Sequence, residues 1–241
     1  MEHTIRTFGR IHGKKLSARQ QWLVDNLLPQ LSPHASRLTP HENCGKAAIL
    51  EIGFGAGEHI LHLATTHPDA TIIGAEPFIN GAASLLSSIT ENWPPSIVIN
   101  PKTLIKPEYL NIRIWPDDIR KLFTLYSSLS TLQNINFEKI YILHPDPWPK
   151  SRHEKRRLLS TEFLDLLAAY LAPGGKIVIA TDHTDHFEWV LEQATKTNLK
   201  ISNKDFFAPP ESGLDTRYQR KNKFGSDRPM YLVLEKNHNF I

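Results

Sequence analysis

An aspartate, a tryptophan and several cationic side chains lie within the fourteen residues His144–Arg157. Asp146 stands between Pro145 and Pro147, after an apolar run that is typical of a buried strand. Because proline fixes φ and donates no ladder hydrogen bond, the strand should end here and leave Asp146 on a stiff loop. A rigid acid, an aromatic ring and a cationic cluster suit a site that handles a nucleic-acid base. The alternative is a proline-rich loop followed by a solvated helix face, since a cationic cluster alone is a weak signal.

A second group of residues with chemical potential surrounds a glycine-rich turn. An apolar strand pattern containing Glu51 leads into Gly53-Phe54-Gly55-Ala56-Gly57, and a helical pattern follows. The next strand pattern closes at Glu76, where an acid can accept hydrogen bonds from both hydroxyls of a ribose. This order predicts a nucleoside-cofactor unit in which the backbone of Gly53 and Gly55 approaches the ligand closely.

The spacing of these residues indicates which cofactor binds. The glycines follow G-x-G-x-G rather than the G-x-G-x-x-G of dinucleotide enzymes. Glu51, two residues before the first glycine, would repel a pyrophosphate but matches a cationic amino-acid group. S-adenosylmethionine has a sulfonium, an ammonium group and no phosphate. The pattern therefore favours S-adenosylmethionine over NAD.

Further acids follow the later strand patterns. Asp117 and Asp118 come after a third strand pattern, and Asp182 follows the fifth. We expect Asp118 at the adenine end of the cofactor, with Asp117 as the alternative and a helix N-cap as the competing interpretation. Ligands of doubly wound sheets bind outside the carboxyl ends of the strands. The strand-end acids should therefore converge on a site, namely Glu51, Glu76, Asp118, Asp146 and Asp182.

Alternating strand and helix patterns must position these acids, and they predict a doubly wound α/β sheet with both faces covered. One helix is expected after a capping box at Ser17–Gln20, and another should end at Pro173-Gly174-Gly175. The alternating stretch Met230–Glu235 predicts a late strand. We divide the chain into a basic N-terminal arm with a covering helix, residues 1–46, and a main domain, residues 47–241. The arm either reaches a phosphate backbone or is disordered.

Composition limits the possible classes of protein. The 241 residues are 40% hydrophobic and 22% charged, with a net charge of +3, as in a globular protein with a substantial core. A single cysteine, Cys44, excludes a disulfide scaffold and a cysteine-based zinc site. No apolar run is long enough to span a membrane, and the N-terminus has no apolar signal segment, so we expect a cytoplasmic protein. His183 and His186 are interpreted as surface histidines, and no metal is expected.

The chain resembles the bacterial tRNA (guanine-N7-)-methyltransferases from about Leu50 to Glu235. Several separated motifs carry the resemblance: Leu50-Glu51-Ile52-Gly53-Phe54-Gly55, Gly74-Ala75-Glu76, Pro145-Asp146-Pro147-Trp148-Pro149-Lys150 with Arg152-His153-Glu154-Lys155-Arg156-Arg157, Ala180-Thr181-Asp182, and Thr216-Arg217-Tyr218. The resemblance implies a class I methyltransferase domain, Rossmann-like, with a mostly parallel seven-stranded sheet and helices on both faces. It also implies S-adenosylmethionine as cofactor and methylation of N7 of guanine 46 in the variable loop of tRNA.

The resemblance also implies roles for individual residues. The cofactor site would comprise Glu51, Gly53, Gly55, Glu76, Asp118 and Asp146. Contacts with the substrate would come from Lys150, Asp182, Thr216, Arg217, Tyr218 and Gln219, and contacts with the RNA from Arg152, His153, Glu154, Lys155, Arg156 and Arg157. Two features depart from the family pattern: Gln219 stands where the family usually has glutamate, and the segment from Trp93 to Pro107 is longer than usual.

The chemistry assigned to Asp146 is positioning and electrostatics. N7 of guanine has a lone pair and no proton, so it can attack a methyl carbon without a general base. In-line geometry can account for about 7–11 kcal/mol of a barrier, and a carboxylate near the purine favours the positive charge that develops there. Asp146 would accept a hydrogen bond from a guanine N–H or hold the amino group of the cofactor. Asp182 could read the N1–H and N2–H₂ edge.

Two rival functions and one open contact remain at this stage. A flipped base could stack on Trp148 or Tyr218, although either ring could simply pack. The fold could serve a methyltransferase with a small-molecule or protein substrate, against which the basic run after Asp146 argues. It could also serve a non-catalytic module that binds RNA or NAD, against which Glu51 before the glycine turn argues.

Overall fold

The computed structural model describes residues 5–9, 11, 13–33, 47–91, 100–128, 136–214 and 228–237. The chain divides into two compact units, Met1–Asn134 and Ile135–Ile241. Among the described residues, no helix is both long enough and apolar enough to cross a bilayer.

The first unit alternates helices with three parallel strands. Its elements are α1 (Ala18–Asn26), α2 (Leu28–Leu31), β1 (Ala48–Ile52), α3 (Glu58–Thr66), β2 (Thr71–Ala75), α4 (Ile79–Ile89), β3 (Ile112–Trp115) and α5 (Ile119–Ser128), with 3₁₀ turns at Pro101–Leu104 and Pro107–Tyr109. Strand β2 pairs in parallel with both β1 and β3. The register places Ile52 opposite Ala75 and Ala75 opposite Trp115, so the carboxyl ends of the three strands lie at the same edge.

Helix α1 begins where the sequence predicts. The Ser17 side chain accepts a hydrogen bond from the Gln20 backbone N–H, and the Gln20 side chain accepts one from the Ser17 backbone N–H. This reciprocal capping satisfies two of the backbone donors that a helix start leaves unpaired. Arg19 then donates to the carbonyl oxygens of Ser87 and Thr90, which fixes α1 to the end of α4.

The second unit contains the remaining strands. Its elements are β4 (Phe137–Leu143), a 3₁₀ helix (Ser151–Arg156), α6 (Thr161–Ala169), β5 (Leu171–Thr181), α7 (Thr184–Thr195), β6 (Lys200–Ile201) and β7 (Met230–Glu235). Strands β4 and β5 are parallel, whereas β7 is antiparallel to β5 and β6. Over the described residues the sheet has seven strands in the order β3-β2-β1-β4-β5-β7-β6, which confirms the mostly parallel sheet expected from the sequence.

One predicted helix end is wrong. The sequence predicts that the helix after the basic run extends to Pro173-Gly174-Gly175, but α6 ends at Ala169 and this turn lies within β5. The backbone N–H of Phe137 donates to the Tyr170 carbonyl, so pairing with β4 begins directly after the helix. Gly174 takes a positive φ of 72°, and the pairing with β4 is irregular there. Strand pairing at long sequence separation outweighs the local helical spacing.

The start of α4 lies directly against the glycine turn between β1 and α3. A Cβ atom added to Gly81 would be 2.2 Å from the Gly55 carbonyl oxygen, which is backbone and cannot rotate away. We therefore expect Gly81→Ala to lower the free energy of unfolding by about 1–3 kcal/mol, as overpacking does. Urea denaturation measures this change.

Ser88→Ala is the matched control, because Ser88 is exposed on the same helix. It should change the free energy of unfolding by less than about 0.5 kcal/mol. A Gly81→Ala protein as stable as the control would show that the turn and the helix are not in close contact.

Candidate cofactor and substrate sites

The glycine turn has the backbone conformation that its sequence requires. Gly53 and Gly55 have φ values of 78° and 59°, in the left-handed region that a side chain disfavours. The backbone N–H of Gly53 donates to the Ala75 carbonyl at 2.7 Å, which links the turn to the end of β2. The predicted turn between a strand and a helix is therefore present, and its backbone lies close to that of the next strand.

Glu76 lies directly after β2 and binds the turn. One carboxylate oxygen accepts the backbone N–H of Gly55 at 2.8 Å, and the other accepts the backbone N–H of Phe78 at 2.9 Å. The side chain is buried. Two backbone donors therefore set the orientation of this carboxylate relative to both the glycine turn and the start of α4.

Glu51 is a second buried acid, near the end of β1. Its residue is 3% exposed, and its Oε2 lies 3.1 Å from Nδ1 of His59, which is 4% exposed. His59 is in the first turn of α3, eight residues after Glu51. Sequence reasoning did not single out this histidine. Its position in the first turn of the helix that follows the glycines was the available signal.

Asp118 is enclosed by hydrogen-bond donors. Its residue is 7% exposed, and Arg120 donates to Oδ1 from Nε at 2.9 Å and to Oδ2 from Nη2 at 2.7 Å. The Arg120 backbone N–H also donates to Oδ1, and the Thr7 hydroxyl donates to Oδ2 at 3.1 Å. Burial alone would raise the pKa of Asp118, but the hydrogen bonds and charge of Arg120, with the Thr7 hydroxyl, outweigh burial and lower the pKa. Asp118 is therefore ionised.

Asp117 has a different environment. Both of its oxygens accept from Lys121 at 2.8 Å, in a half-exposed pair one helical turn apart. Oδ1 also accepts the backbone N–H of Asp118 at 2.7 Å. Asp118 is thus the more buried of the two candidates for the adenine end, and Asp117 stabilises the turn before α5.

The described part of the N-terminal arm contacts the starts of two helices within the first unit. In addition to the Thr7 contact, the Arg6 carbonyl accepts from Arg120, and the Ile11 carbonyl accepts the backbone N–H of Ile79. Gly13 donates to the Asn80 side chain at 2.8 Å. Neither of the two alternatives stated for the arm predicted these contacts with the starts of α4 and α5.

The loop after β4 carries Asp146 in the second unit. The His144 backbone N–H donates to the Ala180 carbonyl at 2.7 Å, so the loop begins beside the end of β5. His144 and Trp148 both have positive φ values, 53° and 42°. Asp146 is exposed, and Asp182 lies directly after β5 with its side chain 15% exposed. The structure therefore places both acids of this unit at the carboxyl ends of a parallel strand pair.

Two tryptophans hold part of the basic run. The Arg156 guanidinium lies over the Trp148 ring and the Arg157 guanidinium over the Trp189 ring, each at 5.0 Å from the ring centre. Arg157 also donates to the carbonyl oxygens of Pro147 and Trp148. Both arginines thus fix the Asp146 loop to the 3₁₀ helix that follows it.

The other residues of the run differ in exposure. Lys150, Arg152 and Lys155 are exposed, Glu154 accepts from the Trp189 indole N–H at 2.8 Å, and His153 packs edge-on against Trp148. The predicted substrate residues Thr216, Arg217, Tyr218 and Gln219 lie outside the described residues, and so does the first part, residues 93–99, of the Trp93–Pro107 segment.

The interpretation of His186 as a surface histidine is wrong. Its ring is fully buried, because α7 packs this side of its first turn inward. Burial, with the nearby charges of Arg157 and His183, lowers the pKa of His186 to about 4. Within the part of the chain that the structure describes, no group of three or more His, Cys, Asp or Glu side chains could hold a metal ion.

The lowered pKa of Asp118 means that its contribution to the free energy of unfolding depends on pH. In the unfolded chain an aspartate titrates near pH 4. The stabilisation that the ionised Asp118 contributes is therefore fully present above that pH, and it is lost as the pH falls through the pKa of Asp118 in the folded protein. At pH 7, Asp118→Asn should lower the free energy of unfolding by about 1.5–3 kcal/mol, since hydrogen bonds to a charged group are broken. The difference from the wild type should shrink toward pH 3 in urea denaturation.

Asp117→Asn provides the comparison, because the half-exposed pair with Lys121 contributes less than about 1 kcal/mol. If Asp118→Asn and Asp117→Asn cost the same at pH 7, the buried contact with Arg120 is not a stabilising one.

Comparison with known proteins identifies the family. Residues 45–226 match the family model described as "Putative methyltransferase". The tRNA (guanine-N(7)-)-methyltransferase of Caulobacter vibrioides (strain NA1000 / CB15N) is 34% identical over 233 residues, which cover 95% of this chain and 93% of that protein.

Solved structures show the same fold at low identity. The 16S rRNA methyltransferase KamB has a TM-score of 0.53 at 17% identity and covers 79% of this chain and 88% of its own. A variant of the 16S rRNA (adenine(1408)-N(1))-methyltransferase from Catenulisporales acidiphilia, solved with the cosubstrate SAM, has a TM-score of 0.53 at 12% identity, covering 83% and 90%. This chain has the Rossmann-like class I methyltransferase fold and belongs to the tRNA (guanine-N7-)-methyltransferase family.

Proposed function

We propose that this protein transfers a methyl group from S-adenosylmethionine to N7 of guanine 46 in the variable loop of tRNA. The observation that carries the proposal is the match, over nearly the whole chain, with proteins named tRNA (guanine-N(7)-)-methyltransferase. Strand-end acids in each unit support it, because they supply the anionic groups that a cationic cofactor and a purine edge require. A tRNA substrate is consistent with a cytoplasmic protein.

The first unit has residues that fit the cofactor. S-adenosylmethionine, when bound, supplies an electrophilic methyl group on a positively charged sulfur. Glu51 would accept the ammonium group, and His59 holds one oxygen of that carboxylate. Glu76 would accept the ribose hydroxyls, with its orientation already set by the N–H groups of Gly55 and Phe78. The positive φ values at Gly53 and Gly55 would let the backbone come close to the ligand.

Asp118 would accept an amino group at the adenine end of the cofactor only by exchanging one of its present hydrogen-bond donors. A carboxylate has about four acceptor positions, and Arg120 and Thr7 together donate four hydrogen bonds to this one. Thr7, in the N-terminal arm, donates one of these hydrogen bonds, and Arg120 donates the other three. An amino group that reaches Asp118 would therefore take the position of the Thr7 hydroxyl.

The second unit has residues that fit guanine. Asp146 is exposed on a loop that two prolines, an arginine–tryptophan contact and the 3₁₀ helix hold in place. Since N7 has no proton to lose, Asp146 acts by holding the reacting groups and by favouring the positive charge that develops on the purine. Asp182 would accept the N1–H and N2–H₂ donors of the base. The segment Thr216–Gln219 remains a proposed substrate contact.

The exposed cations of the basic run fit the phosphate backbone. Lys150, Arg152 and Lys155 are exposed, whereas Arg156 and Arg157 contact tryptophan rings. We therefore assign phosphate binding mainly to the first three and loop positioning to the last two. Affinity for RNA should fall as the salt concentration rises, because each phosphate contact releases a counterion.

Incubation of the purified protein with labelled S-adenosylmethionine and an unmodified tRNA transcript tests the proposed function. Nucleoside analysis should find 7-methylguanosine, and a transcript with adenine at position 46 should give none. Cofactor binding without any RNA product would reassign the protein to a different substrate.

Substitution of Asp146 tests its role. Asp146→Asn removes the charge but keeps the shape, so kcat should fall by about 10²–10³-fold, the scale of losing one group that stabilises a transition state. Single-turnover methylation of the transcript measures the effect. Asp165→Asn, an exposed aspartate on α6, is the control and should retain full activity. Full turnover by the Asp146→Asn protein would remove this residue from the mechanism.

A further inference from the structure

His144, the first residue after β4, combines two unfavourable features. Its φ of 53° lies in the left-handed region, which is sparsely populated by residues other than glycine. Its side chain is 5% exposed, and among the described residues neither ring nitrogen has a hydrogen-bond partner. Backbone strain and an unsatisfied buried polar ring both cost stability, and features of this kind cluster where a site requires them.

The surroundings of the ring point to Asp182. Nδ1 of His144 lies 3.7 Å from Oδ1 of Asp182, close but too long for a hydrogen bond. The backbone N–H of His144 donates to the Ala180 carbonyl, two residues before that acid. The residues that carry the ring and the carboxylate therefore follow neighbouring parallel strands, whose backbones are joined at this point. Hydrogen bonds of a catalytic site are often long without substrate and shorten in the complex.

We propose that His144 is a positioning residue for Asp182 and thereby a determinant of specificity for guanine. When the base binds, the ring donates its Nδ1–H to Oδ1 of Asp182 and holds the carboxylate toward the N1–H and N2–H₂ donors of guanine. This inference rests on the proposed function, because it requires Asp182 to accept the guanine edge.

A neutral histidine meets the electrostatic requirement of this role. Burial lowers the pKa of His144, and the nearby Asp182 carboxylate, which favours the protonated ring through its charge and its proximity to Nδ1, opposes this effect only in part. A neutral imidazole has one donor and one acceptor nitrogen. It can therefore orient Asp182 without cancelling the negative charge that favours the developing purine cation. A lysine or arginine in this position would cancel that charge.

The number of donors that the base offers makes the inference testable. Inosine keeps N7 and N1–H but lacks the N2 amino group, so Asp182 has one donor fewer to accept. Transcripts with guanosine or inosine at position 46 give a specificity ratio of kcat/KM values. The wild type should favour guanosine by about tenfold or more, since a site built for a hydrogen-bonding group rejects an analogue without it.

Three substitutions separate the orienting role from simple packing. His144→Asn places an amide N–H near the position of Nδ1 and tolerates a positive φ, so it should keep the ratio within about twofold of the wild type. His144→Gln places its amide near Nε2 instead, and His144→Phe keeps the ring without a donor. Both should lower the ratio severalfold, toward the value of Asp182→Asn.

The outcomes are distinguishable. A folded His144→Phe protein with the wild-type ratio overturns the inference alone. If that variant does not fold, the comparison between Asn and Gln decides, and equal ratios overturn the inference. A wild-type protein that methylates neither transcript overturns the proposed function and this inference with it.

Discussion

Parallel pairing of strands determines where the acids of this protein lie. In the first unit, β1, β2 and β3 share one register, so the residues that follow them emerge at the same edge. In the second unit, β4 and β5 do the same for the Asp146 loop and Asp182. Parallel strands need a crossover between them, and each crossover begins at this edge with a tight turn or a stiff loop. The chemistry assigned to each unit depends on these strand ends.

Side chains that look available for a ligand also hold the structure together. Glu76 joins the glycine turn to α4, and Asp118 joins the N-terminal arm to α5 through Thr7 and Arg120. Arg156 contacts the Trp148 ring of the Asp146 loop, and Arg157 donates to two carbonyl oxygens of that loop while its guanidinium lies over Trp189. A substitution at any of these positions therefore alters both stability and binding, so a measurement of activity alone cannot separate the two effects.

Local patterns predicted the elements that depend on local interactions. The capping box at Ser17, the glycine turn and the strands on either side of it follow from residue type and spacing, and the structure confirms them. The helix end near Pro173 was wrong because β5 pairs with β4 from Leu171 onward. Which residues bind the cofactor and the tRNA remains a prediction.

The contacts that sequence reasoning missed join distant parts of the chain. Thr7 and Asp118 are 111 residues apart, and no periodic pattern connects them. His59 fits an ordinary helical pattern, and no local signal in the sequence places its ring beside Glu51. His144 stands at the end of an apolar run, where neither its positive φ nor its proximity to Asp182 has a local signal. Such contacts depend on the folded arrangement of the strands.

Chemical mapping of the methylated position tests the central claim most directly. Borohydride reduction followed by aniline cleaves RNA at 7-methylguanosine, so a tRNA transcript treated with this protein and S-adenosylmethionine can be read at single-nucleotide resolution. The account predicts one cleavage, at guanine 46, that appears only with both the protein and the cofactor. Cleavage at other guanines, or a methylated transcript that does not cleave, would contradict it.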